Sequence, residues 1–252
     1  VVIKIAVVGA AGRMGQIMVQ GLSEYDDLSI VTVVDVLEVP GATNWVTSVT
    51  DLSANDVDVV VDFSSAAGAT ATLRWCAVNG VAAVIGATGL SPEQVRSAVD
   101  ENANVVLAAN FSIGAILAER FAAQAAPYFE RVEIIEMHHD QKRDAPSGTS
   151  LATASAMAVA RRAAQVSTNP DPTVSLVLEG ARGALGEGDI PIHSVRLPGL
   201  VAHQEVIFGR PGEGLTIRHD SYDRSSFVSG VALAVRSVRN RPGLTVGLDE
   251  LI

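Results

Sequence analysis

The sequence predicts an α/β protein in two parts: a parallel sheet covered by helices, then an α+β layer with a mixed sheet. Three observations predict this. Residues 2–8 form a near-continuous apolar run, as in a strand buried on both faces. Similar runs alternate with helix-patterned segments as far as Phe111, the rhythm of a doubly wound sheet. Beyond Phe111, strand-like runs follow one another through Gly and Pro without an obvious crossover helix after Arg162, which predicts mixed or antiparallel pairing. The expected division is 1–112, completed by 222–252, and 113–221.

The first strand, Val2–Val8, leads into Gly9-Ala10-Ala11-Gly12-Arg13-Met14-Gly15, and Gln16–Ser23 follows with helical spacing. The glycine spacing is G-x-x-G-x-x-G, a variant of the commoner dinucleotide fingerprint. Small residues let the backbone approach a pyrophosphate, and the helix N-terminus faces it. A second strand, Leu28–Val34, ends at Asp35, where an acid that binds ribose hydroxyls is expected. A tight turn with an incidental Asp would explain any one of these features. Strand, glycines, helix, strand and acid in register make the first part a Rossmann-type dinucleotide domain.

The alternation continues. Val57–Phe63 reads as a strand, Ala66–Asn79 as a helix ended by Gly80, and Val81–Ile85 as a strand closing at Gly86-Ala87-Thr88-Gly89. Ser91-Pro92-Glu93-Gln94 supplies an N-cap, a Pro at the first helical position and a capping-box partner. Asn104–Ala108 is the next strand and ends in Ala109-Asn110-Phe111. Ligands of open parallel sheets lie at the carboxyl ends of the strands. Phe63 ends a strand at this edge, and Gly86–Thr88 and Ala109–Phe111 are therefore candidates to line a nicotinamide site.

In the second part, a helix over 114–128 leads to an alternating strand, Arg131–Met137. The densest polar segment follows: Glu136-Met137-His138-His139-Asp140-Gln141-Lys142-Arg143-Asp144-Ala145-Pro146-Ser147-Gly148-Thr149-Ser150. Ser147 is a natural N-cap, with Gly148 and Thr149 opening an Ala-rich helix through Leu151–Ala160. Free N–H groups at Ser147, Gly148 and Thr149, with Lys142 upstream, form a site for a carboxylate or phosphate beside an imidazole. Lys142 is one of only two lysines, with Lys4, among eighteen basic residues, so a compact ammonium stands where Arg is the usual cation. His138 and His139 are adjacent at a strand end and should point to opposite sides, which disfavours their sharing a metal ion. No metal site is expected. His193 and His219 alternate with apolar strand residues and read as structural or surface groups; His203 precedes Gln204-Glu205 in a strand, where a direct role is the lesser of two readings. The remaining expected strands are Val174–Leu178, His193–Leu197, Val201–Phe208 and Gly214–His219. Residues 180–188 read as a mobile glycine-rich loop, and Phe227–Arg239 as a helix returning to the first part.

Composition bounds the function. Hydrophobic content is 48% over 252 residues, enough for a sizeable core of mostly aliphatic side chains. A formal net charge of −10 argues against general nucleic-acid binding and requires local cations for any anionic ligand. The lone Cys76 excludes an internal disulfide and suits a reducing compartment. No run approaches the ~18 apolar residues of a membrane span, and no signal peptide is visible. A sheet with one exposed apolar face is expected to self-associate.

Gly9-Ala-Ala-Gly-Arg-Met-Gly15, Ala109-Asn110-Phe111-Ser112-Ile113-Gly114 and Glu136-x-His-His-x-x-Lys-x-Asp-Ala-Pro-Ser-Gly-Thr149 strongly resemble the dihydrodipicolinate reductase family, and the likeness runs from end to end. Val195-Arg196-Leu197 and Arg218-His-Asp-Ser221 belong to it, and the tail 241–248 resembles the actinobacterial branch. The resemblance implies a cytoplasmic homotetramer that uses NADH or NADPH to reduce a cyclic dicarboxylate of the diaminopimelate route to lysine. It implies His138 as proton donor and acceptor and Lys142 as a second proton donor. It implies substrate contacts at His139, Gly148 and Thr149, and cofactor contacts at Gly9, Ala10, Ala11, Gly12, Arg13, Met14, Asp35, Gly86, Ala87, Thr88, Ala108, Ala109, Asn110 and Phe111. Two departures stand out. The family's Gly-Thr-Thr-Gly is Gly86-Ala87-Thr88-Gly89 here, and its Phe-Thr-x-Pro is Phe63-Ser64-Ser65-Ala66. Two other readings stay open: a related reductase of another small amino or keto acid, and a non-catalytic NAD-sensing protein, which would have no need of His138 and Lys142.

Overall fold

The structure, a computed structural model, describes residues 2–166 and 171–252. The chain divides into two compact units, Val1–Ile113 with Arg224–Ile252, and Gly114–Asp223.

The first stretch alternates strand and helix: β1 Ile3–Val8, α1 Arg13–Leu22, β2 Leu28–Val34, β3 Trp45–Val46, β4 Val59–Asp62, α2 Ala66–Asn79, β5 Ala82–Ile85, α3 Pro92–Ala98 and β6 Asn104–Leu107. Local chemistry explains the boundaries. Ser65 caps α2 by accepting from the Gly68 N–H, and Gly80 ends it in the left-handed conformation. At α3 the Ser91 hydroxyl accepts from Gln94 N while the Gln94 side chain accepts from Ser91 N, the reciprocal capping box foreseen above.

The second unit contains most of α4 Ile113–Ala125, then β7 Arg131–His138, α5 Gly148–Ala163, β8 Ala184–Leu185, β9 Pro191–Arg196, β10 Ala202–Arg210 and β11 Glu213–Ser221. Its five strands run in the order β11-β10-β7-β9-β8. β7 is antiparallel to β10 and parallel to β9, so the sheet is mixed. Val132 and Ile134 of β7 and Val206 and Phe208 of β10 form its core with Met157 of α5.

The chain then returns to the first unit through α6 Val228–Val238 and β12 Gly243–Val246. The parallel sheet has the order β12-β6-β5-β4-β1-β2-β3. Val8 is level with Val34 and Asp62, Asp62 with Ile85, and Ile85 with Leu107, so the carboxyl ends align along one edge. Chain order reverses between β1 and β4, the switch point of a doubly wound sheet. Val59, Val60, Val61 and Ala83 are wholly buried, as strands covered on both faces require.

Two expectations need correction. Val174–Leu178 is not a strand; Val174 and Val177 are almost fully exposed there, and no neighbouring strand pairs with them. The glycine-rich 180–188 segment is built rather than loose. Ala184–Leu185 pairs with β9, and Glu187 accepts from Ser155 Oγ and Arg162 Nη2. A Cβ on Gly183 would lie 2.5 Å from the Ile192 carbonyl oxygen, so this glycine serves close approach of two backbones.

Candidate active site

On the first unit, the residues singled out at the glycine turn and at the strand ends come to one edge of the parallel sheet. Gly9 has φ +77°, and a Cβ there would meet Ser64 N at 2.8 Å. A Cβ on Gly15 would meet the Gly9 carbonyl oxygen at 2.1 Å. These two glycines hold the turn tight against its surroundings. Gly12 differs: it is exposed and is the N-cap of α1, which has no side-chain cap. The first turn of α1 is therefore bare on its solvent side, a fit for the pyrophosphate of a dinucleotide. Asp35 follows β2; its Oδ2 accepts from Ala11 N at 2.9 Å and its Oδ1 from Leu37 N at 3.0 Å. The acid is thereby fixed beside the glycine turn. Phe63 covers Gly86, where a Cβ would lie 2.2 Å from its ring, and its ring centroid is 5.7 Å from that of Phe111. Ala10, Ala87, Ala108 and Phe111 are buried, and Ala10 exposes no surface at all. Arg13, Thr88 and Ala109 are exposed, and Met14 and Asn110 are partly so.

On the second unit, β7 delivers His138. Alternation puts Val132, Ile134, Glu136 and His138 on one face of the strand. Glu136 thus continues an apolar row, and it is fully buried. An isolated carboxylate there would be very costly. It is compensated by a two-pronged guanidinium: Arg196 Nη2 donates to Glu136 Oε1 at 2.7 Å and Nη1 to Oε2 at 2.8 Å. The pairing is built into the register, since His138 is level with Arg196 across β7 and β9. His138 Nδ1 lies 2.5 Å from Glu136 Oε2. Burial would raise the Glu136 pKa, but hydrogen bonds from Arg196, Ser194 and His138 outweigh it and hold the carboxyl below its ordinary value. Burial lowers the pKa of His138; Glu136 opposes this, while the Lys142 and Arg196 charges add to it.

The loop after β7 turns at once, with Lys142 N donating to the His139 carbonyl at 3.1 Å. Lys142 Nζ grips the exposed Asp144 carboxylate at 2.9 and 2.7 Å, which lowers the Asp144 pKa. Arg196 Nη2 also reaches the Asp144 carbonyl, at 2.7 Å. Ser147 caps α5 as foreseen, accepting from Ser150 N at 3.2 Å. Its hydroxyl also meets Ser150 Oγ, which donates to Gln204 Oε1. That hydroxyl is thus buried and engaged, leaving Gly148 and Thr149 as the open part of the helix start. His193 and His203 are partnered by Glu133 and Asp220, each at 2.7 Å, in keeping with structural roles. Among the described residues no group of three or more His, Cys, Asp or Glu could hold a metal ion, and no helix is long and apolar enough to cross a membrane.

Comparison with known proteins decides the family. Residues 3–111 match the model described as dihydrodipicolinate reductase, N-terminus, and residues 114–252 match the C-terminus model. The chain belongs to the dihydrodipicolinate reductase family. It is 49% identical over 254 residues to 4-hydroxy-tetrahydrodipicolinate reductase of Mycolicibacterium vanbaalenii, covering 99% of this chain and 98% of that one. The enzyme of that name from Corynebacterium efficiens is 45% identical over 258 residues, with the same coverage. Dipicolinate-bound dihydrodipicolinate reductase from Paenisporosarcina sp. TG-14 superposes with a TM-score of 0.90 at 38% identity over 100% of both chains. A myo-inositol dehydrogenase from Corynebacterium glutamicum shares the fold, with a TM-score of 0.59 at 16% identity over 96% of this chain and 90% of that one. Within this family, Glu136, Arg196 and Asp144 are the site neighbours that reading of the sequence did not assign. The signal for Glu136 was available: a carboxylate on the apolar face of an alternating strand, two residues before His138, must have a partner.

Proposed function

We propose that this chain reduces 4-hydroxy-tetrahydrodipicolinate to tetrahydrodipicolinate in the diaminopimelate route to lysine, at the expense of NADH or NADPH. The observation that carries the reading is the second unit's cluster: an imidazole on a buried carboxylate, an ammonium in the adjoining loop, and an open helix start at Gly148 and Thr149. The overall change consumes one hydride and one proton and releases the substrate hydroxyl as water. Gly9–Met14 and Asp35 would hold the dinucleotide, with Phe63, Gly86–Thr88 and Ala108–Phe111 toward its nicotinamide end. A bound reduced nicotinamide supplies the hydride.

The residues of this chain do the rest. Lys142 exchanges Asp144 for a substrate carboxylate, and the N–H groups at the start of α5 bind the same anion by charge-assisted hydrogen bonds. His139, at the strand end, contacts substrate from the flanking turn. His138 is the general acid: with Nδ1 committed to Glu136, Nε2 is the nitrogen that delivers a proton to the charge left by hydride addition. Lys142 is the second proton donor. Asp35 accepts from both ribose hydroxyls and repels a 2′-phosphate, so NADH is preferred, with Arg13 retaining some use of NADPH.

Self-association, as a homotetramer, is proposed through the mixed sheet. The face of β7 and β10 turned from the helices carries the partly exposed Ile135 and Met137 and the exposed Ile207. Sedimentation of the purified protein tests the tetramer, and a monomer refutes it. The activity is tested by following NADH and NADPH oxidation with enzymatically generated substrate; no oxidation with either would sink the reading.

A further inference from the structure

We propose that Arg196, acting through Glu136 and the Asp144 backbone, is the positioning residue that couples His138 to Lys142. The proposal rests on the catalytic roles given to those two groups above.

The guanidinium reaches both the Glu136 carboxylate beside His138 and the backbone of Asp144, the partner of Lys142. Nη1 and Nη2 take one oxygen each of the buried Glu136 carboxylate, and Nη2 also takes the Asp144 carbonyl. Nη1 further donates to the Val195 carbonyl at 2.8 Å, which ties the head to its own strand. From Glu136, Oε2 passes to His138 Nδ1. From Asp144, the carboxylate passes to Lys142 Nζ. One planar fork therefore fixes the carboxylate that orients the imidazole and the loop segment whose carboxylate holds the ammonium.

The geometry requires this residue type. A guanidinium presents parallel donors in a fixed plane, whereas an ammonium is a point charge that cannot span two carboxylate oxygens and a carbonyl at once. The buried Nε of Arg196 has no hydrogen-bond partner. Four acceptor atoms on the terminal nitrogens, not its own full satisfaction, set the position of the head. With Arg196 in place, Glu136 stays ionised and acceptor-only, so His138 must present Nδ1–H to it and leave Nε2 for the substrate. The charges that face His138 are Glu136 on its own strand, Lys142 on the loop and Arg196 on β9.

The test combines kinetics with the tautomeric state of His138. Full-length protein labelled with 15N-histidine is recorded above the imidazole titration, and the His138 signal is identified by its loss in His138→Gln. The expected neutral form carries its proton on Nδ1. Glu136→Gln should move that proton to Nε2 or mix the two forms, and should lower kcat at least about tenfold with KM little changed. Arg196→Lys keeps the charge but loses the fork; it should both lower kcat and raise KM, because both arms are loosened. A purely structural Arg196 would instead lower the melting temperature and leave the kcat-to-KM split, the pH break and the tautomer as in the parent. That result, or an Nε2–H tautomer in the parent protein, overturns the proposal. If Arg196→Lys does not fold, the parent spectrum and the isosteric Glu136→Gln still decide. The tautomer is read without turnover, so a parent enzyme inactive on the dicarboxylate would refute the activity alone.

Discussion

At His138, two demands conflict. A general acid must hold a proton, yet burial together with the Lys142 and Arg196 charges lowers its pKa in the free protein. A bound dicarboxylate adds negative charge beside the imidazole and offsets part of that bias. The acid form is lost as pH rises through the folded pKa, so kcat/KM, which reports the free enzyme, should fall at lower pH than kcat, which reports the complex. Coincident breaks in the two profiles would refute this. His138→Gln should lower kcat by roughly 100-fold or more with a smaller change in KM. Lys142→Ala should chiefly raise KM, and Lys142→Arg should restore charge without restoring geometry. Near-parental turnover in His138→Gln would shift the proton to His139. At the other unit, Asp35→Ala should weaken NADH more than NADPH, and equal losses in paired titrations would contradict the ribose assignment. His138 and Lys142 were legible in sequence because they are crowded together. Arg196 was not, because its link to Glu136 spans a separation of 60 residues that only strand register closes.

Turns and helix starts carry the elements. Gly15→Ala would drive a Cβ to 2.1 Å from the Gly9 carbonyl oxygen, and should destabilise the fold as well as abolish nucleotide binding. Gly12→Ala meets the same oxygen at only 3.2 Å, so the fold should survive while dinucleotide affinity falls. Melting temperature and cofactor titration of the two variants separate these effects; equal melting temperatures would refute the distinction. Ser147→Ala removes the cap of α5 and should cost about 1 kcal/mol. Where local chemistry set an element, the sequence was informative: the box at α3, the glycine end of α2 and the cap of α5 are as expected. It misled where pairing decides. Val174–Leu178 has strand composition but no strand beside it. Residues 180–188 have loop composition, yet their glycines admit a neighbouring backbone. β12 went unseen, because four residues that begin at the glycine of a Pro-Gly pair become a strand only by lying along β6.

For the whole molecule, acid should weaken the second unit more than the first, where Asp27 and Glu93 are lowered but Asp62 is raised. Glu133 and Glu136, in the second unit, have pKa values lowered by folding. Their contribution is present above the unfolded value near 4.3 and is lost as pH falls through the folded one. His138 and His219 of the same unit are also lowered, so each loses stability as pH falls below about 6.5, where the unfolded imidazole takes its proton first. Asp62 of the first unit is raised by burial, despite hydrogen bonds from Ser64 and Thr72. Its folded form gains a proton more readily than the unfolded one, so acidification favours folding at that group. Hydrogen exchange followed by peptide at falling pH should show the second unit opening first. Simultaneous opening, or the reverse order, would refute this.

The return of the chain to its first unit has a consequence for synthesis. Residues 114–223 leave the ribosome as one continuous stretch and can finish folding while translation proceeds. The dinucleotide unit, begun first, must wait. Until residues 224–246 emerge, β6 is a bare sheet edge, and the apolar surfaces later covered by α6 face water. A nascent chain that has exposed residues up to 223 but not 224–246 therefore has a later-made part free to become native and an earlier-made part still a target for chaperones and for edge-to-edge aggregation.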